Sequence, residues 1–216
     1  MTPEADLAKV QVAVLAKAPM AGLAKTRLIP ALGADGAARL QRRFTLAALR
    51  TARAAGLGEV TLWCAPNPQH RFFRALARGA GMRCLAQAHG DLGARMHAAF
   101  RLHCAAGPTL LIGTDCPALQ VSHLRAAAWA LGGPADGVCI PAEDGGYVLI
   151  GLKQPQSALF ENMPWSSAEV MAQTRKRALR EGLRLDELDT LWDVDEPTDL
   201  QRLRALCPRW QGEIRP

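Results

Sequence analysis

Short apolar runs that alternate with longer amphipathic stretches constrain this chain more than any other feature. Strand-length runs stand at 12–16, 60–64, 82–86, 109–112, 137–141, 147–152 and 183–187. Helical spacing fills the intervals at 34–55, about 68–79, 92–105, 121–131, 167–181 and 197 to about 206. In the first of these, Leu40, Phe44, Ala47, Ala48 and Ala52 share one face, and Gly56 supplies a stop. Strands separated by helices form βαβ units with right-handed crossovers, which require a parallel sheet covered on both faces. The expected fold is therefore α/β, three layers α/β/α, on one domain spanning 1–216. The irregular stretch 142–166 is where an antiparallel piece can enter a mostly parallel, mixed sheet.

Ligands on such sheets bind beyond the carboxyl ends of the strands, so residues that directly follow strands are the informative ones. The first loop runs Lys17-Ala-Pro-Met-Ala-Gly22-Leu-Ala-Lys25-Thr26-Arg27. A turn-forming proline, a flexible glycine and three cations suit a polyphosphate. An ordinary basic surface loop has the same composition. Neither the GxxxxGK[ST] nor the GxGxxG spacing is present.

The run at 109–112 is followed by Gly113-Thr114-Asp115-Cys116-Pro117. A lone carboxylate there can hold Mg²⁺, which needs few protein ligands when phosphate oxygens and water complete its shell. An Asx-turn is the alternative. Late in the chain, Asp193-Val194-Asp195-Glu196-Pro197 puts two aspartates on one side of an extended segment. One could complete the metal site, or the group could only cap the helix that Pro197 begins.

Two glycine loops remain. Gln87-Ala-His-Gly90-Asp91-Leu-Gly93 precedes a helix; it either admits the backbone to a flat base or ribose or is a plain turn with Asp91 as N-cap. Glu143-Asp144-Gly145-Gly146-Tyr147 is a hairpin signal, or an acceptor loop that uses the chain's only tyrosine. Trp165 and Ser166 either wall the same cleft or form a buried aromatic and a helix N-cap at Ser166 or Ser167.

The formal charge of +6 is satisfied by an arginine-rich soluble surface and is compatible with an anionic ligand. No basic block is interleaved with aromatics, so nucleic acid is not an expected partner. Six cysteines at 64, 84, 104, 116, 139 and 207 include no CxxC and read as reduced core thiols. The five histidines lack zinc-site spacing. No apolar run reaches the roughly 20 residues of a membrane span, and the first ten residues lack a signal-peptide layout. A cytoplasmic protein with no membrane partner is expected.

In their order, the segments KAPMAGLAKTRL, GDLGARM, LLIGTDCPAL, PAEDGGYVLIGL, MPWSSAEV and WDVDEPTDL resemble the bacterial arsenosugar-biosynthesis glycosyltransferases, also called radical-SAM/selenodomain-associated transferases. The resemblance covers about residues 12–206. A more distant one is to nucleotidyltransferases that make molybdopterin cofactors and phospholactyl-guanosine. It implies the nucleotide-diphospho-sugar transferase, or glycosyltransferase A, fold. It further implies phosphate contacts from Gly22, Lys25 and Arg27, with Lys17 and Thr26 beside them, and nucleoside contacts from Gln87 and Gly90, with Gly93 beyond. Asp115 then binds Mg²⁺ or Mn²⁺, with Asp195 or, next, Asp193 as second ligand. The acceptor lies over Asp144, Gly145, Gly146 and Tyr147, with Asp144 as base or orienter, and Trp165 and Ser166 close the cleft. The chain lacks the LAxGxGxR loop of the nucleotidyltransferases and the spaced DxD of many glycosyltransferases. Three functions follow: glycosyl transfer from a nucleotide sugar to a small acceptor, nucleotidyl transfer from a nucleoside triphosphate with pyrophosphate release, or a nucleotide-binding module without catalysis.

Overall fold

A computed structural model describes residues 7–206. The first six residues, where the leader reading begins, and Cys207 lie outside the described residues. Seven strands form one sheet: β1 Gln11–Lys17, β2 Val60–Ala65, β3 Arg83–Ala86, β4 Thr109–Ile112, β5 Gly137–Pro141, β6 Tyr147–Leu152 and β7 Leu185–Glu187. Six helices alternate with them: α1 Ile29–Ala54, α2 Arg71–Ala80, α3 Leu92–His103, α4 Val121–Gly132, α5 Val170–Arg180 and α6 Pro197–Leu206. The strand order is β3-β2-β1-β4-β6-β5-β7. β6 runs antiparallel to both β4 and β5, and every other pair is parallel. The expected antiparallel piece is thus the second arm of a β5–β6 hairpin.

Alternation along the strands sorts side chains into two cores. Val12, Val14 and Ala16 of β1 face Leu49 and Ala52 of α1, Phe73 of α2, and Leu124 and Ala127 of α4. Ala13 faces the other side, with Met96 and Phe100 of α3 and Met171 of α5. Helices therefore cover both faces, giving three layers. A third cluster joins Leu40 and Phe44 of α1 to Trp192, Val194 and Leu200, and so ties α6 to the sheet end.

α1 contains a break at Gly33, whose φ of 68° and ψ of 165° are not helical. The regular apolar spacing accordingly starts at residue 34. α3 is capped by Asp91, whose carboxylate accepts from the Ala94 N–H at 2.8 Å. α5 begins at Val170, three residues later than expected. Ser166 takes a φ of 64°, and the Ser167 hydroxyl donates to the Pro164 carbonyl at 2.7 Å. The serines thus shape the loop before the helix, and the residue at the cap position is Glu169.

Candidate active site

The sheet reverses direction of growth between β1 and β4: β2 and β3 extend one side, and the chain then crosses to the other. Loops that leave such a switch point diverge and open a crevice. Here the crevice is a cleft of about 920 Å³, which Lys17, Lys25, Thr26 and Arg27 enter from the β1 loop and Asp115 from the β4 end. Gln87, Asp144, Gly146, Tyr147, Trp165, Ser166, Asp193 and Asp195 also line it. Residues from six separate loops or strand ends thus meet at the place the sheet topology designates.

The segment 192–195 runs beside the ends of β4 and β5. The Val194 N–H donates to the Asp115 carbonyl at 2.9 Å, and the Val194 carbonyl accepts from the Lys25 ammonium. Val194 is buried in the third core, so its neighbours Asp193 and Asp195 turn to the cleft. The Asp195 carboxylate accepts from Arg27. It does not cap α6; that task falls to Asp199, which accepts from the N–H groups of Asp195 and Glu196 at 2.9 and 2.7 Å.

Asp115 is held from two sides. The Thr114 hydroxyl donates to its Oδ1 at 3.0 Å, and the Lys25 ammonium lies 3.0 Å from its Oδ2. Behind Thr114, the buried Gln41 amide donates to the Thr114 hydroxyl at 3.0 Å. Gln41 escapes a reading of motifs because it stands inside the helical pattern of α1. The signal that exposes it is a pair of polar side chains one turn apart, Gln41 and Thr45, on a largely apolar helix face. Burial pushes the neighbouring Cys116 thiol up to about 12, so it is an inert core thiol, as are the other described cysteines, none of which is disulfide-bonded.

Asp193 shows that negative charge accumulates here. Its carboxyl is raised to about 6, first by burial and then by Asp144, Asp115 and Asp195. Among the described residues, no three His, Cys, Asp or Glu side chains converge as a self-sufficient metal site. Two carboxylates at the mouth of an acid-rich cleft still fit a hard cation that completes its shell from water and phosphate oxygens. Asp115 and Asp195 could supply them.

The remaining expected contacts divide. Both donors of the Gln87 amide are used on the strand ends, by Ala16 O at 3.2 Å and Trp63 O at 2.9 Å, so only its oxygen is left for a ligand. The Tyr147 ring lines the cleft, but its hydroxyl points to Met96 Sδ at 3.9 Å, and burial holds the phenol well above its ordinary range. Gly22, Gly90, Gly93 and Gly145 do not line the cleft. At Gly93 a Cβ would stand 2.4 Å from the Phe160 carbonyl and 2.9 Å from the Trp165 ring, so that glycine is a packing contact. At Gly145 a Cβ would stand 2.2 Å from the Ala168 carbonyl. Gly90 is a turn whose carbonyl accepts from Arg95 at 3.1 Å. Arg95, Trp192 and Arg202 line the cleft without having been expected to, and Glu143 lines it within the expected acceptor loop.

The fold is that of the nucleotide-diphospho-sugar transferases, a glycosyltransferase A-like class. The chain belongs to the family described as "uncharacterized protein conserved in bacteria (DUF2064)", which it matches over residues 45–167. That span holds Gln87, Asp115, Asp144 and Trp165. A comparison with curated proteins gives no match. Among solved structures, a Desulfovibrio desulfuricans G20 protein assigned to the nucleotide-diphospho-sugar transferases is 26% identical, with a TM-score of 0.81 over 96% of this chain and 97% of that one. Two others share the fold at lower identity. A nucleotidyl transferase from Methanothermobacter is 17% identical, with a TM-score of 0.60 over 93% of this chain and 98% of that one. Glucosyl-3-phosphoglycerate synthase from Mycobacterium tuberculosis, solved with Mn²⁺, UDP and its product, is 10% identical, with a TM-score of 0.55 over 98% and 82%. No helix among the described residues is long and apolar enough to cross a membrane.

Proposed function

We propose that this protein is a nucleotide-dependent transferase that moves a glycosyl group from a nucleotide-sugar donor to a small-molecule acceptor, with Mg²⁺ or Mn²⁺ at the donor diphosphate. The observation that carries the proposal is the meeting of Asp115 and Asp195 with Lys25 and Arg27 at the strand-end switch point. Likeness to a nucleotide-diphospho-sugar transferase over nearly the whole chain supports it. So does the sequence resemblance to the arsenosugar-biosynthesis glycosyltransferases.

Asp115 and Asp195 would hold the metal, which when bound neutralises diphosphate charge that grows as the donor bond breaks. Arg27, half exposed at the rim, grips phosphate oxygens with its planar fork. Thr114 fixes one Asp115 oxygen, which keeps the other aimed into the cleft. The Gln87 oxygen meets the nucleoside side of the donor. Asp144 and Gly146 form the acceptor wall, with Trp165 and Ser166 lining the same cleft. Asp144 already accepts from the Gly146 N–H at 2.9 Å, which orients its carboxylate for an acceptor hydroxyl.

Nucleotidyl transfer is the second reading, favoured by the Lys25-Thr26-Arg27 triplet and by likeness in fold to a nucleotidyl transferase. Ligand-induced thermal stabilisation separates the two, because a ligand that binds only the native state raises stability with its concentration over Kd. Nucleotide sugars that stabilise beyond the matching diphosphate, and only with Mn²⁺, establish glycosyl transfer. Stabilisation by triphosphates alone replaces it with nucleotidyl transfer.

A further inference from the structure

The two cations assigned to the donor phosphates are not equally free to serve them. The Arg27 side chain is 56% exposed, and its carboxylate partners lie at the rim. The Lys25 side chain is only 3% exposed. Its ammonium lies 3.0 Å from Asp115, 3.8 Å from Asp195 and 5.7 Å from the centroid of the Phe44 ring, and it donates to the Val194 carbonyl. The backbone of Lys25 adopts a left-handed φ of 49° and ψ of 48° to place it there. A non-glycine residue in that conformation carries backbone strain that the surrounding structure must offset. The ammonium therefore stands between the two carboxylates, at the point a bridging cation needs.

We infer that Lys25 is the resident counter-ion of the Asp115–Asp195 pair and competes with divalent metal for it. The inference rests on the reading of these two carboxylates as metal-facing. An ammonium and a divalent ion repel strongly at such range in a partly buried site. Metal alone then binds the nucleotide-free protein weakly. A phosphate-bearing donor changes the balance in two ways: it brings oxygens to the metal, and it offers the lysine a new anionic partner on a flexible stem. Metal and donor load together, and the empty protein keeps its carboxylates in place without metal.

The test titrates Mn²⁺ alone into the whole, nucleotide-free protein and follows free Mn²⁺ by electron paramagnetic resonance. Wild type is expected to bind at least about ten-fold more weakly than Lys25→Met, because the substitution removes a like charge from the site. Adding Asp115→Asn to Lys25→Met abolishes the gain. Equal affinity in wild type and Lys25→Met, or tight binding by wild type, overturns the inference. Should Lys25→Met fail to fold, the ammonium of wild type is read directly by ¹H–¹⁵N spectroscopy. A slowly exchanging Lys25 signal that shifts on Asp115→Asn supports the inference, and its absence overturns it. Failure of the donor reading is a different result: no nucleotide sugar or triphosphate stabilises the protein, whatever Mn²⁺ does.

Discussion

The two walls of the cleft are built by different physics. On the side proposed for the donor, Lys25, Asp115 and Asp195 come from loops far apart in the chain and are joined by charge-assisted contacts around the buried Val194 peptide. On the side proposed for the acceptor, the turn at 143–146 is shaped by its own backbone. Asp144 bonds the Gly146 N–H two residues on, and the Gly145 carbonyl accepts from the Met171 N–H at 2.8 Å while its Cα lies against Ala168. One wall is a lattice of ions and the other a close fit of main chains. The first should fail when a charge is removed. The second should fail when a methyl group is added.

Asp115 gives the largest expected effect. Asp115→Asn keeps the shape and the Thr114 contact while removing the charge that faces both Lys25 and the donor. Turnover should fall on the order of 10³-fold, the scale for loss of one preorganised electrostatic group. Fold stability should fall by a smaller amount, because the buried Lys25 ammonium loses one carboxylate partner but keeps Asp195 and the Val194 carbonyl. Steady-state kinetics alongside urea unfolding separates the two. Unchanged turnover would show that the donor wall is scaffolding.

Gly145→Ala tests the other wall. Its φ is +89° and a Cβ would overlap the Ala168 backbone, so the loop before α5 must move. A loss of about 2–4 kcal/mol is expected from overpacking plus left-handed strain. Gly22→Ala is the matched control on the donor wall. Its φ is +78° but nothing lies within 4 Å of the added carbon, so only the strain of about 1–2 kcal/mol applies. Equal losses in urea unfolding would mean that the packing against Ala168 contributes nothing.

The same contrast explains what was legible in the sequence. The ranges expected for β4, β5, β6 and α6 coincide with those observed, because glycine or proline bounds each of those apolar patterns. Asp91 marked the start of α3 by its capping chemistry. The placement of Asp115 at a strand's carboxyl end followed from the apolar run before it, whereas the sheet order that makes it a switch point did not. The burial of Lys25 did not, since a lysine in a basic loop looks solvated until its distant carboxylates are in place. The packing of Gly93 and Gly145 was hidden for a related reason. Their use is to let Phe160 and Ala168 approach, and those contacts are set by tertiary packing, which leaves no local pattern. Gln87 lines the cleft, and the strand carbonyls that consume its donors lie 24 and 71 residues away.

Asp193 offers a smaller, pH-dependent contrast between the walls, since Asp144 of one and Asp115 of the other both raise its carboxyl. Its native value of about 6 lies above the ordinary 3.8. The native state therefore holds a proton that the unfolded chain has lost, and stability falls as pH rises from about 4 to 6. Above pH 6 the charged carboxylate is a standing cost. In metal-free protein, Asp193→Asn should stabilise at pH 7.5 by about 1 kcal/mol, a figure reduced by solvent screening of a partly exposed group. The gain should vanish near pH 4. Unfolding midpoints for both proteins across that range would show it; a gain independent of pH would point to shape instead of charge.

The smallest effect belongs to the one ion pair on the acceptor side. Arg202 grips Glu143 with two hydrogen bonds and lies over the Trp192 ring at 4.6 Å. These bonds hold the Glu143 carboxyl below its usual range, yet both partners are exposed and already matched to each other. If the acceptor wall is shaped by backbone, Arg202→Met should leave the unfolding midpoint unchanged and alter acceptor KM by no more than about three-fold, as for other exposed pairs. A larger rise in KM with kcat unchanged would mean that Arg202 leaves Glu143 to bind the acceptor itself. The acceptor wall would then depend on charge as the donor wall does, and an anionic acceptor would be the one to seek.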